Sequence, residues 1–417
     1  MTQTPASRRF GFLDEPRVQT LFALLDHGGE SARVVGGAVR NALIGLPVVD
    51  VDFCTTSPPD MVMARAAAAR LKCVPTGIEH GTVMVVVEGA GFEVTTLRED
   101  IETDGRRAKV RFGRDYEQDA LRRDFTMNAL AVEASGRLHD YCDGLADLRA
   151  RRLRFIGKPE LRIAEDYLRI LRFFRFHAAF GDGEPDAAGL AACIAGRAGL
   201  AGLSRERVRT EILKLLAARR GPDAAASMAE AGLLGPLLGG APYVARLGAL
   251  AAIEAEHKLA ADALLRLAGV AVMTAGDAAR VAAGLRLSNA EATRLETMAE
   301  ALAPMRAGAA PPAYGVLREA LFQHGRQASR DALLLTQAGA GVAPGDAGFA
   351  SAWRFLRDTP EPRLPFGGAD VVARGVASGK AVGDILKRLQ ASWIRAGFPN
   401  DPATLARLLD GAMQEGA

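Results

Sequence analysis

Two aspartates separated by one residue, Asp50 and Asp52, form the pair in this chain best suited to metal chemistry. They lie in Val48–Phe53, whose alternation of apolar and acidic residues predicts a half-buried strand. Because side chains alternate across a strand, both carboxylates should point to one face, with Val49, Val51 and Phe53 on the other face, where they can anchor the core. Mg²⁺ takes hard oxygen ligands, usually one or two carboxylates together with substrate phosphates. The pattern therefore fits a two-metal site, and a solvated strand face is the alternative.

A glycine pair upstream of these aspartates could hold phosphate. The apolar run Ala32–Val35 ends in Gly36-Gly37, and a helical stretch over Ala38–Leu46 follows. Glycines allow backbone N–H groups to approach a phosphate, and a helix N-terminus favours anions. Arg40 lies one turn into the helix and adds a positive charge. The alternative is a tight turn followed by a surface arginine.

A third carboxylate, Glu93, lies on a predicted hairpin. The β-branched runs Thr82–Val87 and Phe92–Leu97 are joined by a short glycine-containing turn, as in two paired strands. If the second strand neighbours the strand of Asp50, Glu93 can complete the carboxylate site. The polar segment that follows, Arg98–Arg114, is predicted to be a mobile loop.

A later helical segment carries residues that can recognise a base. In Leu161–Phe180, Asp166, Arg169, Arg172 and Arg175 recur every three residues and would form one stripe. A carboxylate accepts from the amino group of cytosine or adenine, and an arginine donates to the adjacent ring nitrogen. Uracil and guanine present like groups to the same pair, which would leave buried polar groups unpaired. The alternative is a surface helix with ion pairs between successive turns.

Length and composition bound the possible classes. A chain of 417 residues, 49% hydrophobic and 24% charged, is an ordinary globular composition with more than one domain. We predict an α+β protein with its strands in a head at 1–140, followed by a helical neck at 141–240 and a helical body and tail at 241–417. The net charge of +3 gives little support to nucleic-acid binding by bulk charge alone.

Other features exclude several environments. No apolar run is long enough to cross a membrane, and the N-terminal sequence lacks the apolar region of a secretory signal. The 4 cysteines are scattered without a C-x-x-C pair. This spacing argues against a disulfide framework or structural zinc site and favours a reduced cytoplasm.

Five segments together resemble a known family, the class II tRNA nucleotidyltransferases and bacterial poly(A) polymerases, which belong to the DNA polymerase β-like nucleotidyltransferases. In chain order, the segments are Gly36–Arg40 with Asp50–Asp52, Glu93–Arg98, Leu121–Ala129, Ala164–Phe176 and Ser204–Leu216. One departure is Asn41, which stands where the family commonly has aspartate.

The resemblance implies a function and a role for each site residue. Asp50 and Asp52 would bind two Mg²⁺ ions, and Glu93 would assist the catalytic site. Asp166 and Arg169 would select CTP and ATP, so that the protein itself acts as the template. CMP and AMP would then be added to the 3′ end of tRNA with release of pyrophosphate. The remaining nucleotide-binding residues implied are Gly36, Gly37, Arg40, Arg123 (sugar or phosphate), and Arg172 and Arg175 (triphosphate).

Two alternatives remain open. A poly(A) polymerase would use nearly the same motifs, because the Asp166–Arg169 pair accepts adenine in both. CCA addition is favoured because the near-neutral end, Leu405–Ala417, is not a long basic extension that would grip arbitrary RNA. A non-catalytic RNA-binding relative is disfavoured by the intact carboxylates. The expected partner is tRNA, with no membrane partner, and the sequence indicates no protein partner.

Overall fold

The computed structural model describes residues 10–104, 107–306 and 308–414. The chain divides into two compact units, Met1–Leu234 and Gly235–Ala417. The first unit holds every residue that the sequence assigns to the site. The finer division into 1–140, 141–240 and 241–417 stays a prediction.

Among the described residues, every strand lies in the first unit. They are β1 (Ala32–Val35), β2 (Asp52–Thr55), β3 (Lys72–Gly77), β4 (Thr82–Val87), β5 (Ala90–Thr96), β6 (Arg98–Asp104), β7 (Arg107–Phe112), β8 (Ala131–Val132) and β9 (Leu138–His139). Seven of them form a mixed sheet in the order β3-β4-β5-β2-β1-β8-β9, with β2 and β5 parallel, while β6 and β7 pair separately.

The two faces of this sheet differ in chemistry. On one face, Phe53 packs edge-on against Phe22 at 5.0 Å between ring centroids, beside the buried Val34 and Val94. Because Phe53 pairs with Val94, the preceding residues, Asp52 and Glu93, are neighbours on the opposite face. The condition stated for Glu93, that its strand neighbours the strand of the aspartates, is thus met, and the pairing places two carboxylates side by side.

Two sequence predictions about this region are wrong. The strand expected over Val48–Phe53 begins at Asp52, and Val49 is 84% exposed instead of anchored in the core. The segment Arg98–Arg114, predicted as a loop, contains the paired strands β6 and β7. The hairpin of β4 and β5 is confirmed, with positive φ at Glu88 (48°) and Gly89 (81°) in its turn.

Helices pack against the sheet, and the regular structure described beyond the last strand is helical. In the first unit they are α1 (Pro16–Leu25), α2 (Gly37–Leu43), α3 (Pro59–Ala68), α4 (Tyr116–Leu121), α5 (Gly144–Arg149), α6 (Pro159–Glu165), α7 (Leu168–Phe180), α8 (Ala187–Ala195), α9 (Arg205–Ala217) and α10 (Gly221–Glu230). Short 3₁₀ turns span Gly11–Asp14, Ile78–His80, Thr126–Asn128 and Gly196–Gly202.

The helix expected over Leu161–Phe180 is two helices. Between α6 and α7, Asp166 adopts an extended backbone with φ −157° and ψ 107°. Its carboxylate accepts the backbone N–H of Leu168 at 3.1 Å, so it satisfies a free donor at the start of α7. Asp166 therefore lies before the helix and not on its stripe, which corrects the sequence prediction.

An aromatic cluster fixes α7 against the head. Phe173 stacks on Phe155 at 5.4 Å between centroids, and Phe125 lies 4.8 Å from Phe155 and 5.4 Å from Phe176. Phe125, Phe155 and Phe173 are almost completely buried. The apolar side of α7 packs as the sequence predicts, and Arg172 and Arg175 lie over the ring of Phe176 at the edge of the cluster, 5.1 and 4.1 Å from its centre.

The second unit is helical throughout the part that the structure describes. Its helices are α11 (Leu234–Leu238, which begins at the boundary), α12 (Val244–Glu256), α13 (Ala263–Ala271), α14 (Ala275–Leu285), α15 (Asn289–Met305), α16 (Tyr314–Ala340, kinked at Gly325), α17 (Ala347–Asp358), α18 (Gly368–Val372), α19 (Lys380–Arg395) and α20 (Pro402–Gln414). None of the described helices combines the length and apolarity needed to span a bilayer. The predicted α+β class is confirmed.

Candidate active site

The glycine junction has the geometry that the sequence predicts. β1 runs into Gly36, whose φ of 68° is in the left-handed region that favours glycine, and α2 begins at Gly37. A Cβ on Gly36 would meet a guanidinium nitrogen of Arg123 at 3.7 Å. The junction thus brings backbone N–H groups close to an arginine from another segment.

Arg40 is buried, not a surface arginine. Its side chain donates to the Asn128 amide oxygen at 2.6 Å and twice to the Asn41 amide oxygen, at 2.9 and 3.1 Å. Its guanidinium lies 3.9 Å from the centre of the Phe180 ring. Burial, together with the nearby charge of Arg175, lowers the pKa of Arg40 to about 10. A cation held by neutral amides retains most of its field, which favours an anionic ligand.

The three predicted carboxylates are in electrostatic contact. Burial raises the pKa of Asp52, and the charges of Glu93 and Asp50 raise it further, while Arg123 opposes them. Asp50 and Glu93 are exposed, and Asp52 is half-buried. Within the described part of the chain, no three His, Cys, Asp or Glu side chains converge closely enough to hold a metal by themselves. The arrangement is an acidic surface with one desolvated carboxylate at its centre.

Arg123 is held opposite this acidic surface by a residue that the sequence did not single out. Asp119, only 3% exposed, accepts from Arg123 at 3.1 Å through one oxygen and from Arg122 at 2.5 Å through the other. Burial opposes the charge of Arg123, but Asp119 holds the pKa of Arg123 above its ordinary value. Asp119 therefore positions the arginine that lies nearest to Asp52 and Gly36.

The arginines of α7 are paired with carboxylates from other segments. Arg172 donates to Asp124 at 2.7 Å, and Arg175 donates to Glu211 on α9. Burial tends to raise the pKa of Asp124, but the adjacent Arg172 holds it below its usual range. These pairs bring Arg172 and Arg175 within electrostatic range of Arg40, so three predicted phosphate-binding residues do share one region.

The side chains of the two predicted base-reading residues, Asp166 and Arg169, each have another partner, and the two residues are joined through the backbone, where the N–H of Arg169 donates to the carbonyl of Asp166 at 3.0 Å. The Arg169 side chain donates to Glu165 at the end of α6 and to the backbone oxygen of Arg162 at 2.8 Å. Asp166 accepts from Arg207 on α9 at 2.5 Å. The side chain of each member of the pair is therefore held by an oppositely charged neighbour.

The sequence missed the residues that support this site. The set consists of Asp119, Asp124, Asn128, Arg162, Glu165, Arg207 and Glu211. Asp124 and Asn128 lie in the segment Leu121–Ala129 that resembles the family. Their closeness in the sequence to Arg123 was the signal that could have found them. Arg207 and Glu211 gave a weaker signal, a cation and an anion four residues apart on one helix.

Comparisons with known proteins agree with this geometry. Residues 32–154 match the model of the poly(A) polymerase head domain, and residues 189–247 match a probable RNA- and SrmB-binding site of polymerase A. The CCA-adding enzyme of Limosilactobacillus fermentum is 32% identical over 393 residues, covering 93% of this chain and 94% of that protein. The chain belongs to the family of class II CCA-adding enzymes and bacterial poly(A) polymerases.

Other relatives extend the comparison. The mitochondrial CCA tRNA nucleotidyltransferase 1 of Mus musculus is 41% identical over 215 residues, and the match spans 49% of this chain and 50% of the mouse protein. The Bacillus stearothermophilus CCA-adding enzyme in complex with CTP superposes with a TM-score of 0.73 at 26% identity, covering 99% of both chains. The Thermotoga maritima CCA-adding enzyme complexed with tRNA shares the fold, with a TM-score of 0.68 at 19% identity over 98% of this chain and all of that chain.

Proposed function

We propose that this protein is a CCA-adding tRNA nucleotidyltransferase that transfers CMP and AMP from CTP and ATP to the 3′ end of tRNA. The observation that carries the proposal is a group of neighbouring carboxylates close to Arg123, a cluster of arginines around Arg40 and, in the same unit of the chain, the acid–arginine pair of Asp166 and Arg169. Each part alone has an ordinary structural explanation. Together they provide for a metal, a triphosphate and a base edge, which are the requirements of nucleotidyl transfer.

The carboxylates fit a divalent cation. Burial and like charge both raise the pKa of Asp52, so the folded protein holds negative charge that a cation would stabilise. Mg²⁺ commonly uses one or two protein carboxylates and completes its shell with phosphates and water, so a cluster of three protein ligands is not required. We assign Asp50 and Asp52 as ligands of two Mg²⁺ ions, with Glu93 beside them. Bound there, the metal would supply Lewis acidity toward the RNA hydroxyl and the leaving pyrophosphate.

Apart from the metal ligands, the residues of the site act by positioning the triphosphate and the RNA end. Gly36 and Gly37 leave room for a phosphate near Arg123, while Arg40, Arg172 and Arg175 provide positive charge around it. Holding the triphosphate and the RNA end in line contributes most to the rate in such reactions. The exposed Glu93 is available to accept the proton of the attacking hydroxyl.

Base selection follows from the acid–arginine pair. Asp166 can accept from the amino group of cytosine or adenine while Arg169 donates to the ring nitrogen, as the sequence predicts. The free cysteines Cys54, Cys73, Cys142 and Cys193 fit a reducing compartment, for which we propose the cytoplasm.

The decisive experiment uses a tRNA ending at the discriminator base, with Mg²⁺ and single or paired nucleotides. We expect addition of two C residues with CTP, and one A when ATP is also present. Long A tails would identify a poly(A) polymerase, which the match to a poly(A) polymerase head makes the second candidate. Tight RNA binding without extension would identify a non-catalytic relative.

Two variants test the metal assignment. Asp50→Ala and Asp52→Ala should each reduce extension by at least about 100-fold, the loss typical when charge stabilisation of a transition state is removed. Asp60→Ala, an exposed aspartate at the start of α3, is the matched control and should extend normally. Full activity of the Asp52 variant would contradict the metal assignment.

A further inference from the structure

Arg207 contacts the carboxylate that the proposed function uses to read bases. Its guanidinium donates to one oxygen of Asp166 at 2.5 Å, and the other oxygen accepts the backbone N–H of Leu168 at 3.1 Å. The side chains are 29% and 23% exposed, so the pair lies at the surface of a site that a ligand can reach. Both carboxylate oxygens are thus fixed by the protein itself.

The elements that carry this pair are held rigidly. Val208 and Ile212 on α9 are almost completely buried, as are Ile170 and Leu171 on α7. A second ion pair joins α9 to α7 itself, with Glu211 on α9 accepting from Arg175 on α7. Because a shift of α9 along α7 would separate both pairs, the contact between Arg207 and Asp166 has a defined register.

A fixed carboxylate discriminates between bases better than a mobile one. An ionised carboxylate offers about four lone-pair positions, and the two contacts in the protein leave others for the amino group of cytosine or adenine. Uracil would place a carbonyl oxygen against the same carboxylate. The resulting repulsion rejects uracil only if the carboxylate cannot rotate away from it.

We propose that Arg207 is a positioning residue that sets base selectivity by holding Asp166 in its reading orientation. This inference rests on the proposed function and adds a residue to it. Glu165 holds Arg169 in a corresponding way, because its carboxylate accepts a hydrogen bond from the Arg169 guanidinium. Removing Arg207 leaves Asp166 anchored through one oxygen only, so the penalty against uracil and guanine should fall more than the affinity for cytosine.

The test compares Arg207→Gln with the wild-type protein in single-nucleotide extension of tRNA by CTP and UTP. We expect the ratio of kcat/KM for CTP to that for UTP to fall by about 10-fold, the scale expected when one hydrogen bond to a charged group is lost. Arg207→Lys, which keeps the charge, should recover most of the ratio. Arg205→Gln makes the same change of charge two residues earlier on α9 and should leave the ratio unchanged.

A second measurement separates this inference from the proposed function. Equilibrium binding of CTP and UTP to each variant, without RNA, reports selectivity even if no extension occurs. A wild-type ratio in folded Arg207→Gln overturns the role of Arg207, whatever happens to the rate. Failure of the wild-type protein to extend tRNA overturns the proposed function instead. Should Arg207→Gln fail to fold, Arg207→Met, which keeps the apolar stem, replaces it, and a wild-type ratio there is equally decisive.

Discussion

Exchanging Asn41 for aspartate would give the buried Arg40 a carboxylate partner in place of an amide. The same exchange at Asn128, its other amide partner, should have the opposite effect on stability. Asn128 also donates its side-chain N–H to Asp124 at 3.2 Å, so an aspartate there would face a second carboxylate. The same substitution is therefore predicted to raise the stability of the protein at Asn41 and to lower it at Asn128.

The magnitudes follow from the hydrogen bonds that change. Arg40 makes two bonds to Asn41, and replacing a neutral acceptor by a charged one strengthens each by roughly 0.5–1 kcal/mol. Asn41→Asp loses the exposed bond to the Pro47 carbonyl, about 0.5 kcal/mol. The net stabilisation is about 1 kcal/mol, or roughly 2–4 °C in Tm for a domain of about 150–250 residues. Asn128→Asp should destabilise by roughly 1–2 kcal/mol.

Differential scanning calorimetry at neutral pH and low salt measures both variants against the wild-type protein. Asn41→Ala, which removes both bonds without adding charge, should lower Tm and serves as the control. A fall in Tm for Asn41→Asp, or equal shifts for the two aspartate variants, would refute the idea that Arg40 is a cation lacking a charged partner.

Three further predictions concern other parts of the chain. Gly36→Ala should cost about 1–2 kcal/mol of unfolding free energy, because the left-handed backbone penalises a Cβ, and chemical denaturation will show it. Arg246→Met should cost about 2–4 kcal/mol, because Arg246 donates to the buried carbonyls of Ala268 and Gly269 at the end of α13; a change below about 1 kcal/mol in a urea titration would contradict this. Burial lowers the pKa of His177 below 6.5, so the unfolded state takes up the proton first, and stability should fall as pH falls below 6.5; a pH series of Tm should flatten in His177→Gln.

The parts of the fold that the sequence predicted correctly are those with local signals. The limits of β1 and the hairpin of β4 and β5 follow from β-branched runs bounded by glycine, and the structure confirms them. The parallel pairing of β2 with β5 was only a condition in the sequence argument, because register between strands far apart in the chain has no local signature. That pairing is what brings Asp52 and Glu93 together.

The errors in the prediction share a physical cause. A three-residue period continued through Asp166, so the sequence showed one stripe, but the carboxylate instead satisfies the N–H of Leu168 and ends the helical run. The partners of the site arginines were missed for a related reason. Contacts such as Arg172 with Asp124 and Arg175 with Glu211 join residues far apart in the chain, and no period in the sequence reports them.

The ion pairs of α7 have a consequence for turnover. Arg172 and Arg175 form ion pairs with Asp124 and Glu211. In the proposed function, a phosphate group that binds there would share each arginine with a carboxylate. Its net attraction is therefore smaller than two guanidinium groups alone would give. When a product anion departs, the carboxylates are in place to satisfy the arginines at once. In the proposed function, such a site would orient the triphosphate and still release pyrophosphate after each added nucleotide.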